Sequence, residues 1–124
     1  MIEAVIVNAG ETQDQELANF FARSAGPGQP IEILQPLVRT SLNSQVATSR
    51  EHIRAIEIGG RQSCVPLLAF NAFYRRASGD AQTSVAYLVG RESKDGKLSP
   101  FRLDLGPRIF RGLGGRLLPV GVRR

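Results

Sequence analysis

Residues 65–105 carry two long apolar runs and a shorter alternating one, separated by ASGD and by KDG. In the first run, Val65, Leu67, Ala69 and Phe73 fall on one side of an extended chain, and Leu68, Phe70, Ala72 and Tyr74 on the other. A continuous apolar run also suits a buried helix. Pro66 near its start and its aromatic content favour a strand. The second run, Thr83 to Arg91, sets Val85, Tyr87 and Val89 against Ala86, Leu88 and Gly90. Strands apolar on both faces need cover on both, which predicts that these two lie in the middle of a sheet.

In the third run Phe101, Leu103 and Leu105 alternate with Arg102 and Asp104. Asp95-Gly96 is the favoured dipeptide of a two-residue type I′ hairpin. A turn centred there pairs Lys94 with Lys97 and predicts Gly90 opposite Phe101, Leu88 opposite Leu103 and Tyr87 opposite Asp104. That register gathers Ala86, Leu88, Phe101, Leu103 and Leu105 on one apolar face, and a one-residue slip would mix the faces.

The flanking regions are read in chain order. Ile2 to Val7 is a β-branched run and predicts a strand. Residues 12–25 predict a helix: Leu17, Phe20, Phe21 and Ser24 form one stripe, Thr12 and Gln15 fit a capping box, and Gly26-Pro27 ends it. Asp14 and Glu16 in its first turn and Arg23 in its last suit the helix dipole. A strand–turn–helix entry is one form of phosphate cradle, but Glu11, Asp14 and Glu16 crowd this one with negative charge, so an ordinary turn and cap is favoured. Residues 26–30 read as a connector, residues 31–41 as two strand-like pieces broken at Pro36, and residues 41–49 as a loop. For residues 50–58 a strand is expected, with a helix as the competing reading; Ile-Glu-Ile before Gly59-Gly60 also reads as a hairpin.

The pattern therefore predicts an α+β domain over residues 1–105: a mainly antiparallel β-sheet of about six strands with one N-terminal helix packed on a face. Residues 106–124 form a separate basic segment with five glycines, five arginines and no acid. Its Gly-Leu-Gly-Gly part is expected to be a loop, and Leu118, Val120 and Val122 a final edge strand.

Composition adds charge asymmetry. The formal charge is +5, with four arginines against seven acids in residues 1–60 and twelve bases against four acids in residues 61–124. Apolar content of 42% is that of an ordinary soluble chain. The start, MIEAVIVNAG, lacks a basic n-region and is not expected to be a signal peptide. No apolar stretch approaches the ~20 residues of a membrane helix. Cys64 is the one cysteine, so an intrachain disulfide framework and a multi-cysteine metal site are both excluded. A cytoplasmic setting, with no metal, cofactor or membrane partner, follows as the expectation.

Few residues point to catalysis. His52 is the one histidine and has no metal-ligand partner at short spacing, so a surface or satisfied residue is favoured. Cys64 reads as a small buried hydrophobe rather than a catalytic thiol. Asn71 interrupts the apolar alternation where an unpaired amide would be costly. It lines a pocket with Tyr74 and Tyr87, or it pairs with a loop or bulge carbonyl; the second reading is favoured. Arg102 and Asp104 read as a polar pair on a solvated face. No nucleophile-elbow, zincin or paired-carboxylate signature is present.

The basic segment is the main functional signal. Arg108, Arg111, Arg116, Arg123 and Arg124 are suited to phosphate contacts, and Phe110 to stacking on a base. The alternative is an edge strand whose arginines discourage pairing. GLGGRLLPVGV resembles, over about eleven residues, the C-terminal glycine-rich loop of CRISPR repeat-processing endoribonucleases; this chain is much shorter than those proteins, and no family is assigned on it. The expectation is a non-enzymatic binding or assembly module with a nucleic acid or other polyanion as partner. A homo-oligomeric structural protein, and a pocket protein or enzyme built on Asn71, Tyr74 and Tyr87, remain the alternatives.

Overall fold

One long antiparallel hairpin, β4 (Pro66–Arg76) and β5 (Gly79–Glu92), supports the other strands. The computed structural model describes residues 1–23, 30, 39, 41, 45–106 and 108–123. Expectations falling on Ser24, on residues 26–29 and 31–38, and on Arg124 lie outside the described residues.

β1 (Ile2–Asn8) pairs antiparallel with β4, placing Val5 opposite Ala69. β8 (Leu113–Leu117) lies along the other edge of β5, so Leu88 has Leu67 on one side and Arg116 on the other. β6 (Leu98–Ser99) shares β4's edge of β5 farther along, because Arg91 pairs with Ser99 on one side and Leu113 on the other. After Pro100 the chain changes sheet. β7 (Phe101–Arg102) pairs with β3 (Arg61–Cys64), the strand leading into β4, and β2 (Ile56–Ile58) completes this second sheet through the Gly59-Gly60 turn. The fold is α+β and mainly antiparallel, with eight strands in two sheets among the described residues rather than about six in one.

The register after β5 corrects the sequence expectation. Phe101 lies opposite Cys64, not Gly90, and the β5–β6 pairing is slipped by one residue, with Glu92 opposite Leu98. The turn is the reason. Gly96 N–H donates to the Ser93 carbonyl at 3.0 Å, Ser93 N–H donates to the Lys97 carbonyl at 3.0 Å, and Gly96 has φ +80°. This is a three-residue loop ending in a left-handed glycine, which pairs Ser93 with Lys97 instead of Lys94 with Lys97. The Ser93 hydroxyl has both the Asp95 carboxylate and the Lys97 carbonyl within reach of its one proton, which favours that choice. Leu103 and Leu105 are consequently exposed rather than on a dry face.

α1 (Gln13–Phe21) is shorter than expected, and Arg23 falls beyond its last turn. Thr12 makes no side-chain cap; the Gln13 side-chain carbonyl accepts from Gly10 N–H at 3.2 Å, and the Thr12 hydroxyl accepts from Arg54 at 2.9 Å. The stripe behaves as expected. Leu17, Phe20 and Phe21 are buried with Val7, Leu67, Ala69 and Ala86, and Leu118 and Val122 pack at the margin. Strand alternation puts this core on one face of the main sheet, and β4 records it directly: Leu67, Ala69 and Asn71 are buried, while Leu68, Phe70 and Ala72 are half-buried.

Residues 50–58 divide between the two readings. Arg50–His52 forms a single 3₁₀ turn, and Ile56–Ile58 is the expected strand. The basic segment departs further. Leu113–Leu117, which includes the expected Gly-Gly loop, is the strand, whereas Leu118 to Val122 follows it along β5 with Leu118 N–H on the Ala86 carbonyl at 2.9 Å. Gly114 is accommodated because the Glu92 side chain fills the space its Cβ would take.

Candidate functional site

Four arginines of the basic segment lie within the described residues, and all are exposed: Arg108, Arg111, Arg116 and Arg123. None forms an ion pair among the described residues, whereas Arg23, Arg75 and Arg102 are matched to Glu3, Asp80 and Asp104. The segment is held by main-chain bonds, with Glu92 N–H on the Gly112 carbonyl at 3.1 Å and Ser84 N–H on the Val122 carbonyl at 2.8 Å. Arg116 lies opposite Leu88, on the α1 face, and Arg123 lies opposite Thr83, on the far face. These two therefore lie on opposite faces of one sheet edge, so the arginines of the segment do not form a single patch. Phe110 is half-buried: its ring meets Phe101 edge-on at 4.9 Å between centroids, and the Arg91 guanidinium carbon lies 5.8 Å from its own centroid. Two protein groups thus already engage its ring.

The sheet keeps Asn71 apart from Tyr74 and Tyr87. Asn71 is fully buried on the α1 face; Tyr74 and Tyr87 occupy alternate positions on the opposite face. Asn71 donates its amide to the Phe20 carbonyl at 2.8 Å, and Gln82 donates to the Phe21 carbonyl at 2.9 Å. The Asn71 carbonyl oxygen in turn accepts from Ser84 at 2.5 Å and Gln82 at 3.1 Å. This polar cluster satisfies carbonyls that the end of α1 leaves open, a structural task. Tyr74 shares a hydrogen bond with Thr83 at 2.9 Å, and Tyr87 packs edge-on to Phe70 at 6.3 Å.

A cleft of about 610 Å³, which no sequence motif marked, lies between β1, α1 and residues 48–54. Asn8 fixes its far wall by donating to the His52 carbonyl at 2.5 Å and accepting from Arg54 N–H at 3.0 Å. His52 is exposed and shares a hydrogen bond with Ser49 at 2.7 Å. Glu16 turns one carboxylate oxygen inward with no partner among the described residues. Cys64, half-buried opposite Phe101, has its thiol pKa pushed up by burial, which disfavours the nucleophilic thiolate. Among the described residues no group of His, Cys, Asp and Glu gathers as a metal site, and no helix is long and apolar enough to cross a membrane.

Comparison with known proteins brings no assignment: no family model, curated protein or solved structure matches the chain.

Proposed function

We propose that the protein is a binding module for a polyanion, with nucleic acid as its partner, engaged through Arg108, Arg111, Arg116 and Arg123. The observation that carries this reading is the set of four exposed arginines, unpaired among the described residues, on a segment hydrogen-bonded to β5. A segment held this way loses less ordering entropy on binding than a free tail. Its arginines supply bidentate donors for phosphate oxygens.

The test is a titration of a labelled mixed-sequence oligonucleotide over a range of salt concentrations. Each arginine replaced by alanine should lower the salt slope by roughly 0.7 for a single strand or 0.9 for a duplex, for every phosphate that the variant no longer neutralises. A slope unchanged in the fourfold variant overturns the reading. Point substitutions are required, because truncation after Leu105 would strip β8 from the sheet.

A second reading, self-assembly, is favoured by Leu113 and Leu117, which are 48% and 60% exposed on β8 at the sheet margin. Light scattering across a concentration series separates the two.

A further inference from the structure

The face of the main sheet turned away from α1 has a composition unlike the other. Phe70, Tyr74 and Tyr87 alternate onto it from β4 and β5, among Leu68, Val85 and Val89. All but Tyr74 are half-buried, and Tyr74 is 38% exposed, whereas the α1 face holds the buried core; among the described residues no helix packs on this second face. Within β1, β4, β5 and β8, and at the Thr83–Arg123 bridge, the charged positions on this face are Arg76, Arg91 and Arg123. The acids of the same strands, Glu3, Asp80 and Glu92, all fall on the α1 side. Arg91, half-buried with its guanidinium against the Phe110 ring, and the Thr83–Arg123 bridge stand about 27 Å apart along β5, bracketing Tyr87.

We propose that this face is a stacking platform for the unpaired bases of a single-stranded nucleic acid, with Phe70 and Tyr87 at its centre and Arg91 and Arg123 receiving the backbone. The proposal deepens the polyanion reading and rests on it. An apolar aromatic centre on strands whose charged positions on this face are all arginine matches a ligand whose inner groups are flat and apolar and whose outer groups are phosphates. A duplex buries its bases and offers such a face nothing to stack. A second copy is disfavoured by charge, because face-to-face pairing would oppose the arginines of these strands, whose acids all lie on the α1 side. Phe70 lies between Ala4 and Val85 in the sheet, and its ring meets that of Tyr87 edge-on at 6.3 Å, which makes the two one aromatic unit.

The chain offers a direct probe. Its two tyrosines both lie on this face, and it has no tryptophan. Protein labelled with 3-fluorotyrosine gives two ¹⁹F resonances, assigned with Tyr74→Phe and Tyr87→Phe. A short single-stranded oligonucleotide should move the Tyr87 resonance at saturation, whereas inorganic polyphosphate, which has no bases, should leave it in place. Phe70→Leu should weaken oligonucleotide binding about tenfold while leaving polyphosphate binding unchanged. If the oligonucleotide binds by anisotropy but the Tyr87 resonance stays fixed, the platform is wrong and the polyanion reading survives. If neither ligand binds at low salt, both fall. Resonances that shift with protein concentration alone would place a second copy on this face and overturn the proposal.

Discussion

The side-chain amide of Asn71, in the middle of β4, donates to the backbone carbonyl of Phe20 at the end of α1, 2.8 Å away and 51 positions earlier in the chain. This bond ties the helix to the sheet at a fully buried point. Asn71→Leu keeps the volume but leaves the Phe20 carbonyl and the Ser84 hydroxyl short of a partner. Urea unfolding should show a loss of about 1–3 kcal/mol. A loss below about 0.5 kcal/mol would mean that water replaces the amide.

Phe20 and Phe21 meet at 6.0 Å between ring centroids, and Phe20 is 5% exposed. Truncating Phe20→Ala opens a cavity against Leu17, Leu67 and Ala69. The expected cost is on the order of 3–5 kcal/mol by chemical denaturation. A cost under about 1 kcal/mol would place the stripe in solvent.

The stripe and the alternation of β4 were readable because each depends on neighbours a few positions away. What could not be read depends on distant partners. Asn71 stood out as an interruption, yet nothing local identifies the carbonyls of Phe20 and Phe21 as its acceptors. The hairpin register turned on the Ser93 hydroxyl, which competes with the Asp95-Gly96 preference and shifts the pairing by one residue. β8 was hidden because glycine usually signals a loop; here Gly114 and Gly115 sit in a strand, and the space beside Gly114 is filled by Glu92 from the neighbouring one. The aromatic face was partly visible, since Tyr74 and Tyr87 were singled out, but their separation from Asn71 depends on parity across paired strands.

Gly121 has φ +147° and faces the Ser84 carbonyl, where a Cβ would have no room and the obstacle is backbone. Gly121→Ala should therefore detach the residues around Val122 from β5, at a cost of about 1–3 kcal/mol. Hydrogen exchange reads this locally, because the Ser84 amide donates to the Val122 carbonyl. Its protection should fall in the variant. For Gly114→Ala the nearest obstacle is the Glu92 side chain, which can swing away, so the change should cost less. Equal effects at the two sites would mean that the Ser84 backbone yields as readily as a side chain.

Two bonds from Arg102, Nε at 3.0 Å and Nη2 at 2.6 Å, hold the Asp104 carboxyl below its ordinary range. A depressed folded pKa means that the bonds contribute stability above the unfolded value of ~3.9, and that this contribution is lost as pH falls through the lower folded value. The difference in unfolding midpoint between the wild type and Asp104→Asn should therefore be constant near neutrality and shrink as pH drops below about 4. A difference unchanged down to pH ~2 would show that the pair adds nothing to stability.

The position of β8 has a consequence for how the chain refolds. The strand that closes the outer edge of β5 arrives from about 20 residues farther along, and until it docks that edge offers a row of open amides and carbonyls flanked by Tyr87 and Val89. A second unfinished copy can pair with it there. Dilution from urea at rising protein concentration should therefore lose yield to aggregates, without altering the stability of the molecules that do refold.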